Sequence, residues 1–311
     1  MRTVFFGTPD IAVPSLQAIE ALHEVTAVVC QPDRPQGRSS KLVPPPVKVA
    51  AEKLGIPVHQ PEKLNDGTFE AWLKAQAPEV CMIAAYGRLL KQPLLDIPTH
   101  GWLNMHPSLL PKYRGPSPIQ SAILNGDTVT GVSIMRLVLE MDAGDLLLQE
   151  RVEIGENETA VELAQRLGIL GAELMFKGLR LIEEGNAVFT PQDPAGVVEC
   201  KMFEKNDGQI RWGASAREIH NLVRAAQPWP IAHCELGGEV YRIHETRLTD
   251  GTAASAPGTV EEVLKDRLVV STGEGRIAIT QIQGPGKRVM NTGDFLRGHK
   301  LDAGATFTDL H

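Results

Sequence analysis

Cysteine is scarce in this 311-residue chain, with four in all, and the four stand far apart at positions 30, 81, 200 and 234. No two are close enough to suggest a disulfide framework, and none has the spacing of a zinc site. A reducing, cytoplasmic setting is therefore expected, without a metal. Long apolar runs are also missing. Nothing approaches the roughly 20 apolar residues that a membrane span requires, and the start, MRTVFFGTPD, is broken by Gly, Pro and Asp too early for a secretory signal. Aromatic residues make up only 5%. Gly7-Thr8-Pro9 follows a strand-like stretch but lacks the three-glycine fingerprint of a dinucleotide site, which favours a plain strand-to-helix turn. No internal repeat is present.

Positive charge is the other deficit. The formal charge is −7, and on its face that opposes RNA binding, because phosphate contacts dominate such affinities. The distribution softens this conclusion. Acids and bases balance over 208–311, so the whole excess of acid lies in 1–207, much of it after residue 140. Basic groups cluster at Arg34, Arg38, Lys41, Lys48 and Lys53, and again at Lys287, Arg288, Arg297 and Lys300. Local positive potential can coexist with an acidic total.

What is present is organised. With 42% hydrophobic content the chain can bury one large core or two modest ones. Its first third alternates strand-like stretches (TVFFG, VTAVVC, VCMIAAYG) with helix-like ones, the pattern of a parallel sheet covered by helices. Residues 32–46 interrupt it with five prolines and several bases, which predicts a loop. A long helix is expected from Thr159 to Ile182, boxed at its start by Thr159 and Glu162 and ended at Gly185. TPQDPAG at 190–196 reads as the beginning of a linker, with a domain boundary between 1–205 and 206–311. Beyond it a short helix begins at Ser215, boxed by Glu218, and stops at Pro228-Trp229-Pro230. The remainder consists of short strands with Gly-containing turns, as in a small antiparallel barrel. Trp212 and Trp229 are expected to pack in a core or between domains rather than to stack on bases.

The most informative stretch is GWLNMHPSLLPKYRGPSPIQ, 101–120. Asn104 and His106 lie two apart at a strand end that Pro107 terminates, so both project the same way from the carboxyl edge of the sheet. Open α/β folds place ligands at that edge. An amide donor beside an imidazole suits the oxyanion of an acyl transfer. Thirty-six residues after His106 comes Asp142, in EMDAGD. Folded back onto His106, its carboxylate would favour imidazolium and supply a cationic donor. Arg114 is a further candidate, for a phosphate or glutamate.

FGTPD at 6–10, QPDRPQGR at 31–38, PPPVKVAAE at 44–52, AAYGRLL at 84–90, NMHPSLLPKYRGPSPIQ at 104–120, GVSIM at 131–135, DAGD at 142–145 and QPWP at 227–230 together resemble the methionyl-tRNA formyltransferases. The N-x-H, SLLP and D-x-G-D pattern alone is shared by the wider folate-dependent formyltransferase group, so the Pro-rich basic loop and the barrel-like tail narrow the substrate. The resemblance implies an α/β, Rossmann-like formyltransferase domain followed by an OB-like β-barrel that binds tRNA. It implies 10-formyltetrahydrofolate as co-substrate, methionyl-initiator-tRNA as partner, and a monomer acting without membrane or protein partner. It places catalysis on Asn104, His106 and Asp142. Folate contacts fall on Ser108, Leu109, Leu110 and Pro111, on Tyr86, Gly87, Arg88, Leu89 and Leu90, and on Leu137, Val138, Leu139, Glu140 and Met141. The tRNA-reading loop covers 33–48, with Arg34, Arg38, Lys41 and Lys48. Sugar-nucleotide formylation, formyltetrahydrofolate hydrolysis and a noncatalytic RNA-binding module remain the alternatives.

Overall fold

The computed structural model describes residues 1–35 and 41–310. Arg38 lies outside the described residues. Contacts divide the chain into two units: residues 1–118, 130–153 and 164–201 form the first, and 119–129, 154–163 and 202–311 the second.

The chain runs β1 (Arg2–Gly7), α1 (Val13–Glu20), β2 (Glu24–Val29), the two-residue strands β3 (Arg34–Pro35) and β4 (Leu42–Val43), α2 (Pro46–Lys53), β5 (Val58–His59), α3 (Thr68–Ala75), β6 (Val80–Ala84), α4 (Gln92–Leu95), β7 (Trp102–His106), β8 (Lys112–Arg114), α5 (Pro118–Leu124), β9 (Val129–Arg136), β10 (Leu146–Glu153), α6 (Ala160–Glu183) and β11 (Val198–Glu199). Seven strands form one sheet in the order β10-β9-β7-β6-β1-β2-β5. From β7 to β5 the pairings are parallel, and β9 joins β7 antiparallel. β1, β6 and β7 are buried nearly throughout, so they read as apolar runs rather than alternations. Phe6 anchors the core, with its ring 4.7 Å from Trp102 and edge-on to Tyr86.

The chain steps outward from β1 through β2 to β5, then returns to the other side of β1 for β6 and β7. That reversal between β1 and β6 is a topological switch point, and Gly7, Ala84 and His106 end their strands on the same carboxyl edge. The α6 boundaries match the sequence expectation to one residue. Thr159 and Glu162 exchange side-chain and main-chain hydrogen bonds at its start, and Gly185 ends it at φ +72°.

Residues 190–196 depart from expectation. Thr190 exchanges main-chain hydrogen bonds with Leu146, and β11 pairs with β8, so the stretch expected to open a linker is ordered against the sheet domain.

The second unit contains α7 (Ala216–Ala225), β12 (Ala232–Leu236), β13 (Glu239–Thr249), β14 (Val260–Val263), β15 (Leu268–Ser271), β16 (Arg276–Gln283), β17 (Met290–Asn291), α8 (Thr292–Gly298) and β18 (Phe307–Thr308). The antiparallel order is β14-β15-β16-β13-β12-β18. A bridge between Thr259 and Thr306, with Val260 N–H bonded to the Ala305 carbonyl, brings the two ends together and closes a small barrel. Ser215 and Glu218 form the expected capping box of α7. Residues 154–163 join this unit through polar clasps: Arg224 donates to the carbonyls of Gly155 and Glu158, and His220 Nε2 donates to that of Glu156. Trp212 is buried against Phe307, as expected. Trp229, in the turn between Pro228 and Pro230, is 54% exposed and does not pack in the core.

Candidate active site

β7 delivers Asn104 and His106 from the carboxyl edge of the sheet, and both side chains are buried. Asp142 enters from the loop between β9 and β10 with φ +52°, a left-handed conformation that is uncommon for a residue carrying a Cβ. The three groups meet. Asn104 Nδ2 donates to Asp142 Oδ1 at 3.4 Å, and His106 Nδ1 lies 3.6 Å from Asp142 Oδ2. Gly115 N–H donates to the same Oδ2 at 2.9 Å. One carboxylate is thus faced by an amide, a main-chain N–H and an imidazole.

The second ring nitrogen of His106 is also committed. Nε2 lies 2.9 Å from the Tyr113 carbonyl oxygen, and a carbonyl can only accept. Nε2 therefore carries hydrogen, which leaves Nδ1 as the titrating atom. Tyr113 holds this carbonyl in place from a left-handed φ of +64°. Burial pushes the His106 pKa below its ordinary 6.5, and the opposing pull of Asp142 and the Tyr113 hydrogen bond is smaller. This corrects the expectation that Asp142 would make His106 cationic: desolvation wins because the ring is only 5% exposed.

The SLLP segment is braced from beneath. Ser133 Oγ donates to the Ser108 carbonyl and accepts from Leu110 N–H, while Gln149 Nε2 reaches both Ser133 Oγ and the Leu110 carbonyl. Ser108 Oγ turns inward to the Lys112 carbonyl, and Leu110 is buried. The side chains of Ser108 and Leu110 thus shape their own turn; Leu109 is partly buried beside Pro111. In the AYG segment, the Tyr86 carbonyl accepts from Thr8 Oγ1 and from Gln31 Nε2, and Gln31 Oε1 accepts from Arg34. FGTPD, QPDR and AAYGRLL therefore converge at the switch point. Gly87 lies under the Gln31 amide, where a Cβ would come within 2.7 Å. Arg88 is turned away, bonding the carbonyls of Pro61 and Glu62, and Leu90 is buried. Leu89, Val138, Leu139 and Met141 form the exposed apolar portion of the expected folate region, at 72%, 36%, 59% and 48% exposure. Leu137 N–H is bonded to the Trp102 carbonyl.

Arg114 does not stand open for an anion. It donates through Nε to Gln192 Oε1 and through Nη1 to Glu140. Of the expected tRNA contacts, Lys48 is engaged by Asp33 Oδ1, Asp33 Oδ2 and Gln60 Oε1, each at 2.9 Å, and so ties the two ends of the 33–48 segment together. The Tyr113 carbonyl, Gly115 N–H and Gln192 join the site without a signal in the sequence. Main-chain donors and acceptors leave no compositional mark, and the place of Gln192 in TPQ resembles a linker.

Residues 1–179 match the formyl transferase family model, and 202–300 match that of the formyl transferase C-terminal domain. A methionyl-tRNA formyltransferase from Pelotomaculum thermopropionicum is 45% identical over 307 residues, covering 98% of this chain and 97% of the relative. The chain belongs to the methionyl-tRNA formyltransferase family. A second family member, from Moorella thermoacetica, is 43% identical and covers 98% of each chain. Among solved structures, an N-formyltransferase from Helicobacter canadensis in complex with folinic acid and dTDP-3-aminofucose superimposes with a TM-score of 0.67 at 22% identity, covering 91% of this chain and 99% of that one. At that identity the likeness speaks for the formyltransferase fold. Both expected domains of the family, the Rossmann-like sheet and the C-terminal barrel, are present.

Proposed function

We propose that this family member transfers the formyl group of 10-formyltetrahydrofolate to the free α-amine of methionyl-initiator-tRNA. The observation that carries the proposal is the convergence of Asn104, His106 and Gly115 N–H on the Asp142 carboxylate, in a chain that is 45% identical over nearly its whole length to a protein named for this activity. The residues present suit the folate. Leu89, Val138, Leu139 and Met141, each an exposed apolar side chain, would offer area to a flat ring system. The folate supplies an activated formyl carbon on a nitrogen that leaves.

The chain's own residues then divide the work. The uncharged amine attacks the formyl carbon, a new N–C bond forms, and negative charge develops on the carbonyl oxygen. Asn104 Nδ2 is the fixed donor for that oxygen. His106 Nδ1, neutral at rest because burial holds its pKa low, can accept the proton released by the amine and in doing so becomes a second donor. Asp142 stabilises this transient imidazolium from 3.6 Å. As the bond to the folate nitrogen breaks, the proton passes to that nitrogen, and the site returns to its starting state.

Residues 1–205 hold this chemistry in the proposal, and 206–311 bind tRNA with Arg34, Arg38 and Lys41 of the basic loop. Lys48 serves as the clasp of that loop. A monomer working in the cytoplasm completes the proposal; the four free, buried cysteines suit a reducing compartment. Among the described residues no helix is long and apolar enough to cross a membrane. The test is formyl transfer from labelled formylfolate with purified protein, run beside each other on initiator and elongator methionyl-tRNA. Labelled initiator tRNA supports the proposal. RNA retention without transfer, or label on a sugar nucleotide instead, overturns it.

A further inference from the structure

We propose that Gln192 is a positioning residue that holds the Asp142 loop in its reactive conformation by bonding the main-chain carbonyls of Asp142 and Gly144. The inference deepens the function proposed above and rests on it for the reaction it serves.

The loop carrying Asp142 is under strain. Asp142 itself is left-handed, and Gly144 is pressed so closely on Arg136 that a Cβ there would meet the Arg136 carbonyl oxygen at 1.7 Å. A non-glycine residue at positive φ persists only where its surroundings over-determine it. Gln192 supplies that constraint. Its Nε2 donates to the Asp142 carbonyl and to the Gly144 carbonyl, both at 2.8 Å. Its Oε1 accepts from Arg114 Nε at 3.0 Å, and Arg114 in turn reaches Glu140 on the same loop. The amide is 9% exposed, so these bonds form where water competes little.

The chemistry is specific to an amide. Two carbonyls need two N–H donors, and the Arg114 guanidinium needs an acceptor on the same planar group. Glutamate, of equal size, turns an oxygen toward the two carbonyls. Methionine fills the volume and bonds neither. Gln192 arrives on the segment after α6, fixed by the main-chain exchange between Thr190 and Leu146. The side chain touches the loop backbone and not the reacting atoms, so its effect on catalysis passes through the placement of the Asp142 carboxylate.

The full-length Gln192→Met and Gln192→Glu variants test this with two readouts. The first is turnover: kcat should fall about 100-fold, the cost of misplacing a reacting group by about 1 Å. KM for folate and for tRNA should stay within about threefold of wild type, since ground-state contacts are kept. The second is the His106 imidazole titration, followed by NMR in the ligand-free protein. Its midpoint should move further down in Gln192→Met, because the carboxylate that opposes desolvation has drifted away. Wild-type kcat together with an unmoved His106 midpoint in folded Gln192→Met overturns the inference. If Gln192→Met fails to fold, Gln192→Glu, which retains the Arg114 contact, decides by the split between a lowered kcat and an unchanged KM. Should the wild type transfer no formyl to methionyl-tRNA, the functional proposal falls, and the His106 midpoint still decides the role of Gln192.

Discussion

His106 Nε2 donates to the carbonyl of Tyr113 across 2.9 Å, and this one bond decides which ring nitrogen can do chemistry. With Nε2 protonated, Nδ1 is left facing Asp142 as a base, and burial keeps it unprotonated near neutrality. The proposed catalytic unit at rest is therefore a neutral imidazole beside a carboxylate. It becomes an ion pair only when a proton arrives.

The titration of His106 should show this directly. Its folded-state pKa lies below the ordinary 6.5, so an NMR titration of the ligand-free protein should give a midpoint under that value. A midpoint above it would contradict the assignment. The sign carries over to stability. The unfolded chain binds a proton at His106 that the folded chain refuses, so the folding free energy is retained above the unfolded pKa and declines as pH falls below 6.5. Urea titrations at about pH 7 and about pH 5 should show a smaller loss on acidification in His106→Gln than in wild type.

Removing a positioned donor separates chemistry from fold. Asn104→Ala should lower kcat roughly 100- to 1000-fold, as is typical for loss of an oxyanion donor. Asp142→Asn keeps an acceptor for Gly115 N–H but loses the charge that supports a protonated His106. Its kcat should fall by at least about 100-fold while thermal unfolding stays close to wild type. Near-normal turnover in either variant removes that residue from the mechanism.

Much of this site is legible in the sequence alone. Strand periodicity placed Asn104 and His106 on one edge, and the capping signals at Thr159 and Ser215 located the starts of α6 and α7, because these features arise from local chemistry. The Asp142 contact came from motif resemblance, since nothing local brings a loop 36 residues onward back to a strand end. The groups that define His106 were invisible for a different reason. The Tyr113 carbonyl and Gly115 N–H are main-chain atoms, and any residue provides them. The protonation of His106 is not legible in the sequence, because a neighbouring acid can be read there, whereas the cost of near-complete burial cannot. Gln192 was hidden by its flanks, as prolines and an aspartate after a long helix usually mean a linker.

Gly144 should tolerate no side chain. An added Cβ meets the backbone of Arg136, which cannot yield as a flexible side chain would. Gly144→Ala is expected to cost about 1–3 kcal/mol in urea unfolding, within the range for overpacked sites. Activity should fall further than stability, because the displaced residue is two positions from Asp142. A Gly144→Ala protein as stable and active as wild type would mean the loop packs otherwise.

Lys48 offers the sharpest division between sequence expectation and geometry. Its position in a basic, Pro-rich segment suggested a phosphate contact, yet all three ammonium hydrogens have partners in Asp33 and Gln60. The Asp33 hydrogen bond holds the Lys48 pKa above its ordinary value, and hydrogen bonds from Gln60 and Lys48 hold that of Asp33 below its own. A cation so engaged releases no counterion when RNA binds. The salt dependence of tRNA affinity distinguishes the two roles, since each neutralised phosphate contributes about 0.7–0.9 to the slope of log K against log salt. Lys48→Met should therefore keep the wild-type slope, and any weakening of affinity should be equal at every salt concentration, reflecting a loosened 33–48 segment. A slope reduced by about one unit would return Lys48 to the RNA-contacting set.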